Sequence, residues 1–222
     1  MISVVIPCYN EEASIGVVLD SLPAGGGEVI VVDNNCTDRT AAIATAAGAR
    51  VVRETTPGYG AALQAGFRAA RGDIIVTLDG DGQYPANLIP ELVRELDTSG
   101  LDFISASRFP LSDRQALTAM GVFGNRVLTV ATNLLFGLRL ADSQSGMWIF
   151  KRSVLDRINL ESNNMPLSEE IKIRVATHPA LKFAERHIPY HPRLGTSKLV
   201  PLKHGLMNLW FLVHLRFNLH HR

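Results

Sequence analysis

The chain has 222 residues, of which 46% are hydrophobic, and this is enough apolar material for one sizeable core, so we expect a single domain. Its 22 Lys and Arg residues nearly balance its 21 Asp and Glu residues, which gives no overall positive field and predicts no nucleic-acid partner. The two cysteines, Cys8 and Cys36, are too few for a disulfide scaffold or a four-ligand zinc site, and they suit a reducing cytoplasm.

Strand-like runs of β-branched residues alternate with helical patterns through the first half of the chain. The runs are ISVVI, EVIVV, ARVVR and DIIVTL. The N-terminal MISVVIPCYNEE reads as the first strand rather than as a signal peptide, because it has no basic leader. We expect the first helix after NEEAS, the second from about Thr37 to Gly48, and the third up to Gly72. The alternation predicts an α/β fold, with a mostly parallel sheet and helices on both faces.

The second half is less regular. LDFISASRF and GMWIFK are predicted strands, residues 117–137 a long helix, and LSEEIKIRVATH a helix that Ser168 is expected to cap. We place the domain at residues 1–199 and an apolar but charge-bearing, amphipathic helix at residues 200–222. This helix is too polar for a membrane span, and we expect it to lie on a membrane surface or against a partner protein. Packing on its own domain is an equally good interpretation.

The segment LDGDGQ follows the fourth predicted strand. Residues two apart at a strand end point the same way, so Asp79, Asp81 and Gln83 can present oxygens to one point. Such oxygens suit Mg²⁺ or Mn²⁺, whereas a calcium EF-hand loop is excluded by its spacing. Alone, the Asp-Gly pairs are more typical of a turn. We expect Gly80 and Gly82 to leave space for a ligand.

Other strand ends carry polar groups that could share this site. Asp33 leaves a predicted buried strand, where it can accept hydrogen bonds from a base or a ribose. Candidate phosphate-binding cations are Arg71, Arg108, Arg126, Arg193 and Lys198, each of which is by default a solvated charge. Pro192 and Gly195 place the last two in a turn-rich loop of the kind that closes over phosphates.

Six segments together resemble the family 2 glycosyltransferases with the Rossmann-like GT-A fold, and within them the polyprenyl-phosphate branch that includes dolichol-phosphate mannose synthase. They occur in the same order across residues 2 to about 200: VVIPCYNEE, VVDNNCTDRT, PGYGAALQAGFRAARGDIIVTLDGDGQYP, SRF, DSQSGMWIFKR and RLGTSKL. The resemblance implies a hexosyltransferase that uses a GDP- or UDP-sugar as donor, a polyprenyl phosphate as acceptor, and Mg²⁺ or Mn²⁺.

The resemblance also implies roles for individual residues. The nucleoside of the donor would be held by Pro7, Tyr9, Glu11 and Asp33. The divalent metal that bridges the diphosphate would be bound by Asp79, Asp81 and Gln83, under a loop that carries Arg193 and Lys198.

The acceptor phosphate would be bound by Arg108 and Arg126, and Asp142 falls in the family's motif of Asp, two residues and Ser-Gly. With Asp81, these three are the expected catalytic residues. The family's usual DDGS is DNNCTD here, so Asn34 stands at the second acidic position and the contacts expected there are open.

A prenyl phosphate is mostly dianionic at pH 7, so it needs charge neutralisation rather than a general base, and in-line attack would invert the anomeric carbon. A hydroxyl acceptor on a glycan or small molecule is the alternative, and then Asp142, Glu169 or Glu170 would have to take the proton. An inactive nucleotide-sugar-binding protein is the non-enzyme alternative. The lipid acceptor would be reached from the cytoplasmic face by peripheral docking, through residues 200–219, or with a membrane partner protein.

Overall fold

The computed structural model describes residues 1–25, 27–198 and 200–218. Within these residues the strands are β1 (Ile2–Cys8), β2 (Gly27–Asp33), β3 (Arg50–Arg53), β4 (Ile74–Thr77), β5 (Phe103–Ser107), β6 (Trp148–Lys151) and β7 (Phe183–His187). The helices are α1 (Ile15–Asp20), α2 (Thr40–Ala46), α3 (Tyr59–Ala69), α4 (Ile89–Thr98), α5 (Ala119–Phe136), α6 (Leu167–Ala176) and α7 (Pro201–Asn218).

The strands form one sheet in the order β3-β2-β1-β4-β6-β5-β7. The pairs β1–β2, β1–β4, β2–β3 and β5–β7 are parallel, whereas β6 runs antiparallel to both β4 and β5. The predicted mostly parallel α/β sheet is therefore confirmed, with β6 as its reversed strand. The chain order turns outward on the two sides of β1, which places a crevice beyond the ends of β1 and β4.

Helices cover both faces of the sheet because its central strands are apolar on both sides. Val4 and Ile6 of β1 pack with α1, α2 and α4, while Val5 packs on the opposite face with α3 and α6. Successive side chains of a strand point to opposite faces, so β1 reads as a continuous apolar run. A third apolar cluster joins α5, α6 and α7.

The helix ends follow local chemistry, with one correction. Thr118 caps α5 by accepting a hydrogen bond from the Gly121 amide at 3.1 Å, and Gly137 ends this helix in the left-handed conformation. The prediction that Ser168 caps α6 is wrong, because Pro166 occupies the N-cap position and Ser168 lies buried inside the helix.

The C-terminal helix packs on its own domain along one face. Phe211, Leu212 and Leu215 are buried against Leu128 of α5 and Ile173 of α6. No helix in the described part of the chain is long and apolar enough to cross a membrane. The boundary predicted at residue 199 and the stretch 219–222 lie outside the described residues.

Candidate active site

The candidate site lies along one edge of the sheet, where β1, β2, β4, β5 and β7 have their carboxyl ends. Because β6 is reversed, the turn that precedes it, residues 142–147, comes to the same edge. The segments that sequence alone singled out therefore meet in space.

Two carboxylates stand at the centre of this edge. Asp79 accepts a hydrogen bond from the Tyr59 hydroxyl at 3.0 Å. The Asp81 carboxylate accepts one hydrogen bond from the Gln83 backbone amide at 3.0 Å and one from the Arg193 guanidinium at 2.6 Å. Burial raises the pKa of Asp79 to about 7, and the nearby Asp81 charge adds to the rise. Burial also raises the pKa of Asp81, against the opposing effect of Arg193.

The loop of residues 191–198 lies over these carboxylates. The Arg193 guanidinium bridges Asp81 and Glu11, and Lys198 pairs with Glu11 at 3.0 Å. The Leu194 amide donates to the Asp81 carbonyl at 2.9 Å, which fastens the loop to the strand end. Arg193 and Glu11 are 182 residues apart in sequence, so this closure brings opposite ends of the chain to one site.

These residues fit a divalent cation whose remaining ligands come from a substrate. The carboxylates of Asp79 and Asp81 are hard oxygen donors, and the Arg193 guanidinium against Asp81 shows that the position accepts positive charge. Among the residues that the structure describes, no group of three His, Cys, Asp or Glu side chains could hold a metal ion. A cation here would therefore need oxygens from elsewhere, as a diphosphate provides.

The glycines that follow the two aspartates, Gly80 and Gly82, are required for reasons different from the expected one. A Cβ at Gly80 would lie 2.8 Å from the Cys8 sulfur, so the residue is small because β1 approaches closely. Gly82 has a φ of +79°, which favours glycine, and a Cβ there would lie 2.9 Å from Leu194. The expectation that both positions clear space for a ligand is wrong, because protein atoms meet them first.

Gln83 does not share the surroundings of the two aspartates. Its side-chain amide donates to the carbonyls of Ala116 and His191, each at 3.0 Å. These bonds fix the segment before α5 and the loop after β7, so the contacts favour a structural role. Its expected role as a metal ligand stays a prediction.

The expected nucleoside residues line the ends of β1 and β2. Pro7 is buried, Tyr9 is half exposed, and Asp33 accepts a hydrogen bond from the Cys36 amide at 2.7 Å. Asn34, at the position where the family usually has an acid, donates to the carbonyls of Glu54 and Thr56 at 3.0 and 2.7 Å. An aspartate could not make those two donations, so Asn34 serves the loop after β3.

A buried ion pair joins Arg108 and Asp142 on the other side of the site. The Arg108 Nε and Nη2 atoms donate to the two carboxylate oxygens at 2.7 and 2.9 Å. Its backbone amide adds a third bond, and Asn125 of α5 donates to the same carboxylate at 2.9 Å. Burial alone would raise the pKa of Asp142, but the Arg108 charge outweighs it and holds that pKa well below its usual range. Asp142 is therefore an ionised anchor and a poor proton acceptor.

Arg126 differs from Arg108, because its side chain is exposed on α5. It directly follows Asn125, whose side chain donates to Asp142. Arg108 is held inside, with its guanidinium carbon 5.2 Å from the centre of the Tyr190 ring. The structure places these two arginines at different depths, and their expected binding of an acceptor phosphate stays a prediction.

The other two candidate bases are also enclosed. Glu170 accepts hydrogen bonds from the Glu161 and Ser162 amides and from Arg174. Glu169 is fully buried, and burial raises its pKa to about 8. One of its carboxylate oxygens accepts from the Gln144 side chain at 2.7 Å, and the other has no hydrogen-bond partner among the residues that the structure describes.

The turn at residues 142–144 gathers contacts from three helices. The backbone amide of Gln144 donates to the Asp142 carboxylate at 3.0 Å. The Gln144 side chain donates to Glu169 of α6 and accepts a hydrogen bond from Asn208 of α7 at 2.8 Å. Asn125 of α5 completes the set. We call this group the polar hub.

Sequence reasoning missed Tyr59, Asn125 and Asn208. Tyr59 stands in the Gly-Tyr-Gly segment at the start of α3, and no local signal there indicates that its hydroxyl reaches Asp79. Asn208 carries a signal that could have been used, because a lone amide on the buried face of an apolar helix needs a polar partner.

The seven-stranded sheet with one reversed strand, and the carboxylate pair and cationic loop at its edge, define a glycosyltransferase with the GT-A fold. The model of the family described as Glycosyl transferase family 2 matches residues 3–158, and the chain belongs to that family.

Curated relatives and a solved structure are consistent with this family membership. The dolichyl-phosphate hexose transferase of Haloferax volcanii is 34% identical over 207 residues, which cover 92% of this chain and 89% of the relative. An uncharacterized glycosyltransferase of Mycobacterium tuberculosis is 47% identical over 199 residues, 90% of this chain and 89% of that one. The glucosyl-3-phosphoglycerate synthase of M. tuberculosis, solved with Mn²⁺, UDP-glucose and phosphoglyceric acid, has a TM-score of 0.73 and 28% identity, and the match covers 97% of this chain and 79% of that one.

Proposed function

We propose that this enzyme transfers a sugar from a GDP- or UDP-sugar to a polyprenyl phosphate, with inversion at the anomeric carbon and with Mg²⁺ or Mn²⁺. The observation that carries the choice of acceptor is the Arg108–Asp142 pair. A hydroxyl acceptor needs a carboxylate base, and Asp142 is an ionised partner of Arg108, with a pKa well below its usual range. A phosphate acceptor needs cations instead, which the buried Arg108 and the exposed Arg126 of α5 would supply.

The donor side of the proposal rests on the carboxylate pair and the closing loop. Asp79 and Asp81 would hold the divalent metal, which neutralises charge on the departing nucleoside diphosphate. Arg193 and Lys198 would turn from Glu11 and Asp81 to that diphosphate when it is present. Pro7, Tyr9, Glu11 and Asp33 would bind the nucleoside. That M. tuberculosis glucosyl-3-phosphoglycerate synthase was solved with Mn²⁺ and UDP-glucose, and also with Mg²⁺ and UDP, supports this assignment.

On the acceptor side, a phosphate oxygen of the lipid attacks the anomeric carbon while the bond from that carbon to the donor diphosphate breaks. The dianionic phosphate brings no proton to remove at pH 7. Arg108 and Arg126 would hold it in line with the leaving group and neutralise its charge. The dolichyl-phosphate hexose transferase of H. volcanii, by its name, supports this class of acceptor.

A lipid acceptor also implies contact with a membrane. We propose that the enzyme meets the polyprenyl phosphate at the cytoplasmic face of the cell membrane, as a peripheral protein or through a membrane partner protein.

The test is a panel of nucleotide sugars with Mg²⁺ or Mn²⁺, each with and without a polyprenyl phosphate. We expect one donor to give a lipid-linked sugar, and EDTA to stop the reaction. Asp81→Ala should remove metal-dependent turnover, whereas Asp73→Ala, which changes an exposed aspartate, should leave it unchanged. Full activity of Asp81→Ala, or product without added metal, would refute the metal assignment.

A second candidate is transfer to a hydroxyl of a glycan or a small molecule. The structural likeness to the synthase solved with phosphoglyceric acid favours it. The same panel, extended to hydroxyl acceptors, separates the two candidates, because transfer to a hydroxyl without transfer to the lipid phosphate would replace the first proposal by the second.

A further inference from the structure

Helix α5 exposes an apolar stripe along its whole length. Its members recur every three or four residues, so they lie on one face of the helix. They are Met120, Phe123, Val127, Val130 and Leu134. The opposite face carries the buried residues Asn125, Leu128, Thr129 and Thr132. Leu134 is 81% exposed, which no requirement of the domain's own core explains.

Helix α7 exposes a second apolar stripe beside the first. Its members are Leu202, Leu206, Leu209, Trp210, Val213 and Phe217. The two helices pack against each other through the cluster that contains Leu128 and Leu212, so the stripes belong to one rigid pair of helices. Each helix has 18 residues, and its length is therefore about 27 Å. We call the combined surface the α5–α7 face.

This face concentrates the exposed apolar side chains of the described residues. Sixteen large hydrophobic residues are exposed among all the described residues, and eleven of these sixteen lie on α5 and α7. Scattered exposed hydrophobics need no explanation, but a contiguous patch marks a surface that binds something apolar.

The charges on the two helices select the occupant. Neither α5 nor α7 contains Asp or Glu, whereas Arg126, Lys203 and Arg216 add positive charge. An apolar face with cations and no acids complements an anionic lipid bilayer. Trp210 is 66% exposed on this face, and an indole ring is favoured at a membrane–water interface.

We propose that the α5–α7 face docks directly on an anionic lipid bilayer. The proposal rests on the proposed function only for the reason why the enzyme would dock. Arg126 stands on the docking helix α5 and would meet the acceptor phosphate at the bilayer surface. It goes beyond the expectation for residues 200–219, because α5 provides half of the surface and the bilayer itself is the partner.

The test uses the full chain and vesicles that contain phosphatidylglycerol and phosphatidylcholine but no polyprenyl phosphate. Two matched variants decide the outcome, because Val130 on α5 and Val17 on α1 are 56% and 57% exposed. We expect Val130→Asp to weaken vesicle binding about tenfold or more, and Val17→Asp to leave it unchanged. Both variants should keep the thermal stability of the parent, because neither side chain is buried.

Fluorescence gives an independent measurement. The chain has two tryptophans, of which Trp148 is fully buried and Trp210 is exposed. Vesicle binding should shift the emission to shorter wavelength through Trp210, and Trp210→Phe should abolish that shift. Neutral vesicles or high salt should weaken binding.

Three results would overturn the proposal: equal vesicle binding by both Asp variants, no binding of the parent protein to bare anionic vesicles, or binding only to vesicles that carry membrane proteins. Transfer to a short, water-soluble prenyl phosphate measures the proposed function separately. Vesicle binding without such transfer would sink the proposed function and leave the docking face standing, and transfer without vesicle binding would do the reverse.

Discussion

Replacing Asp142 by Asn should destabilise the protein strongly. The carboxylate accepts five hydrogen bonds, three of them from Arg108, and is fully buried. An amide in its place offers N–H groups to a guanidinium that can only donate, and the Arg108 charge stays buried without a counterion. Breaking a buried ion pair in this way costs about 3–5 kcal/mol. For a chain of 222 residues, we expect the Tm to fall by about 6–10 °C.

The assay is thermal and urea unfolding of three variants. Asp73→Asn, whose ion pair with the N-terminus is exposed, should stay within about 2 °C of the parent. The double variant Arg108→Met with Asp142→Leu removes both charges and should regain part of the stability lost in Asp142→Asn. A Tm loss below about 2 °C for Asp142→Asn would refute the interpretation of Asp142 as the anchor of Arg108, and would reopen its use as a base.

Two further outcomes follow from buried groups. Tyr59→Phe removes a hydrogen bond that favours the charged form of Asp79, so the affinity for Mn²⁺ and donor should fall about tenfold or more, as measured by Mn²⁺ titration and by the donor KM. An unchanged affinity would contradict this role. The pKa of Glu169 is raised by burial to about 8, so the folded state keeps a proton that the unfolded state releases, and stability is lost as pH rises from about 4.5 towards 8. At pH 7 the cost is about 3 kcal/mol, so the Tm of Glu169→Gln relative to the parent should rise between pH 5 and pH 7; a difference that is the same at both pH values would contradict it.

Sequence patterns predicted much of the fold because the pattern and the structure have the same local cause. Apolar runs followed by polar turns mark strand ends, and this placed Asp33 and Asp79 correctly at one edge of the sheet. Reading β6 as a strand was also possible, but its reversed direction depends on pairing with β4 and β5, which no local signal contains.

The partners of the site residues could not be predicted in the same way. Asp142 was a candidate base in sequence, and only its contact with Arg108, 34 residues away, shows it to be an anchor. The spacing of Met120 to Leu134 fits a core-facing stripe as well as an exposed one, since periodicity fixes a shared face and not what covers it.

The polar hub gives the two exposed helices an unusual support. Asn125 holds α5 to Asp142, and Asn208 holds α7 to Gln144, so both helices are tied to one turn beside Arg108. Separating them would leave buried polar groups without partners, at about 1–3 kcal/mol for each group. The α5–α7 face and the buried Arg108 are therefore held at a fixed separation. That separation sets how far from Arg108 anything bound to the face would lie.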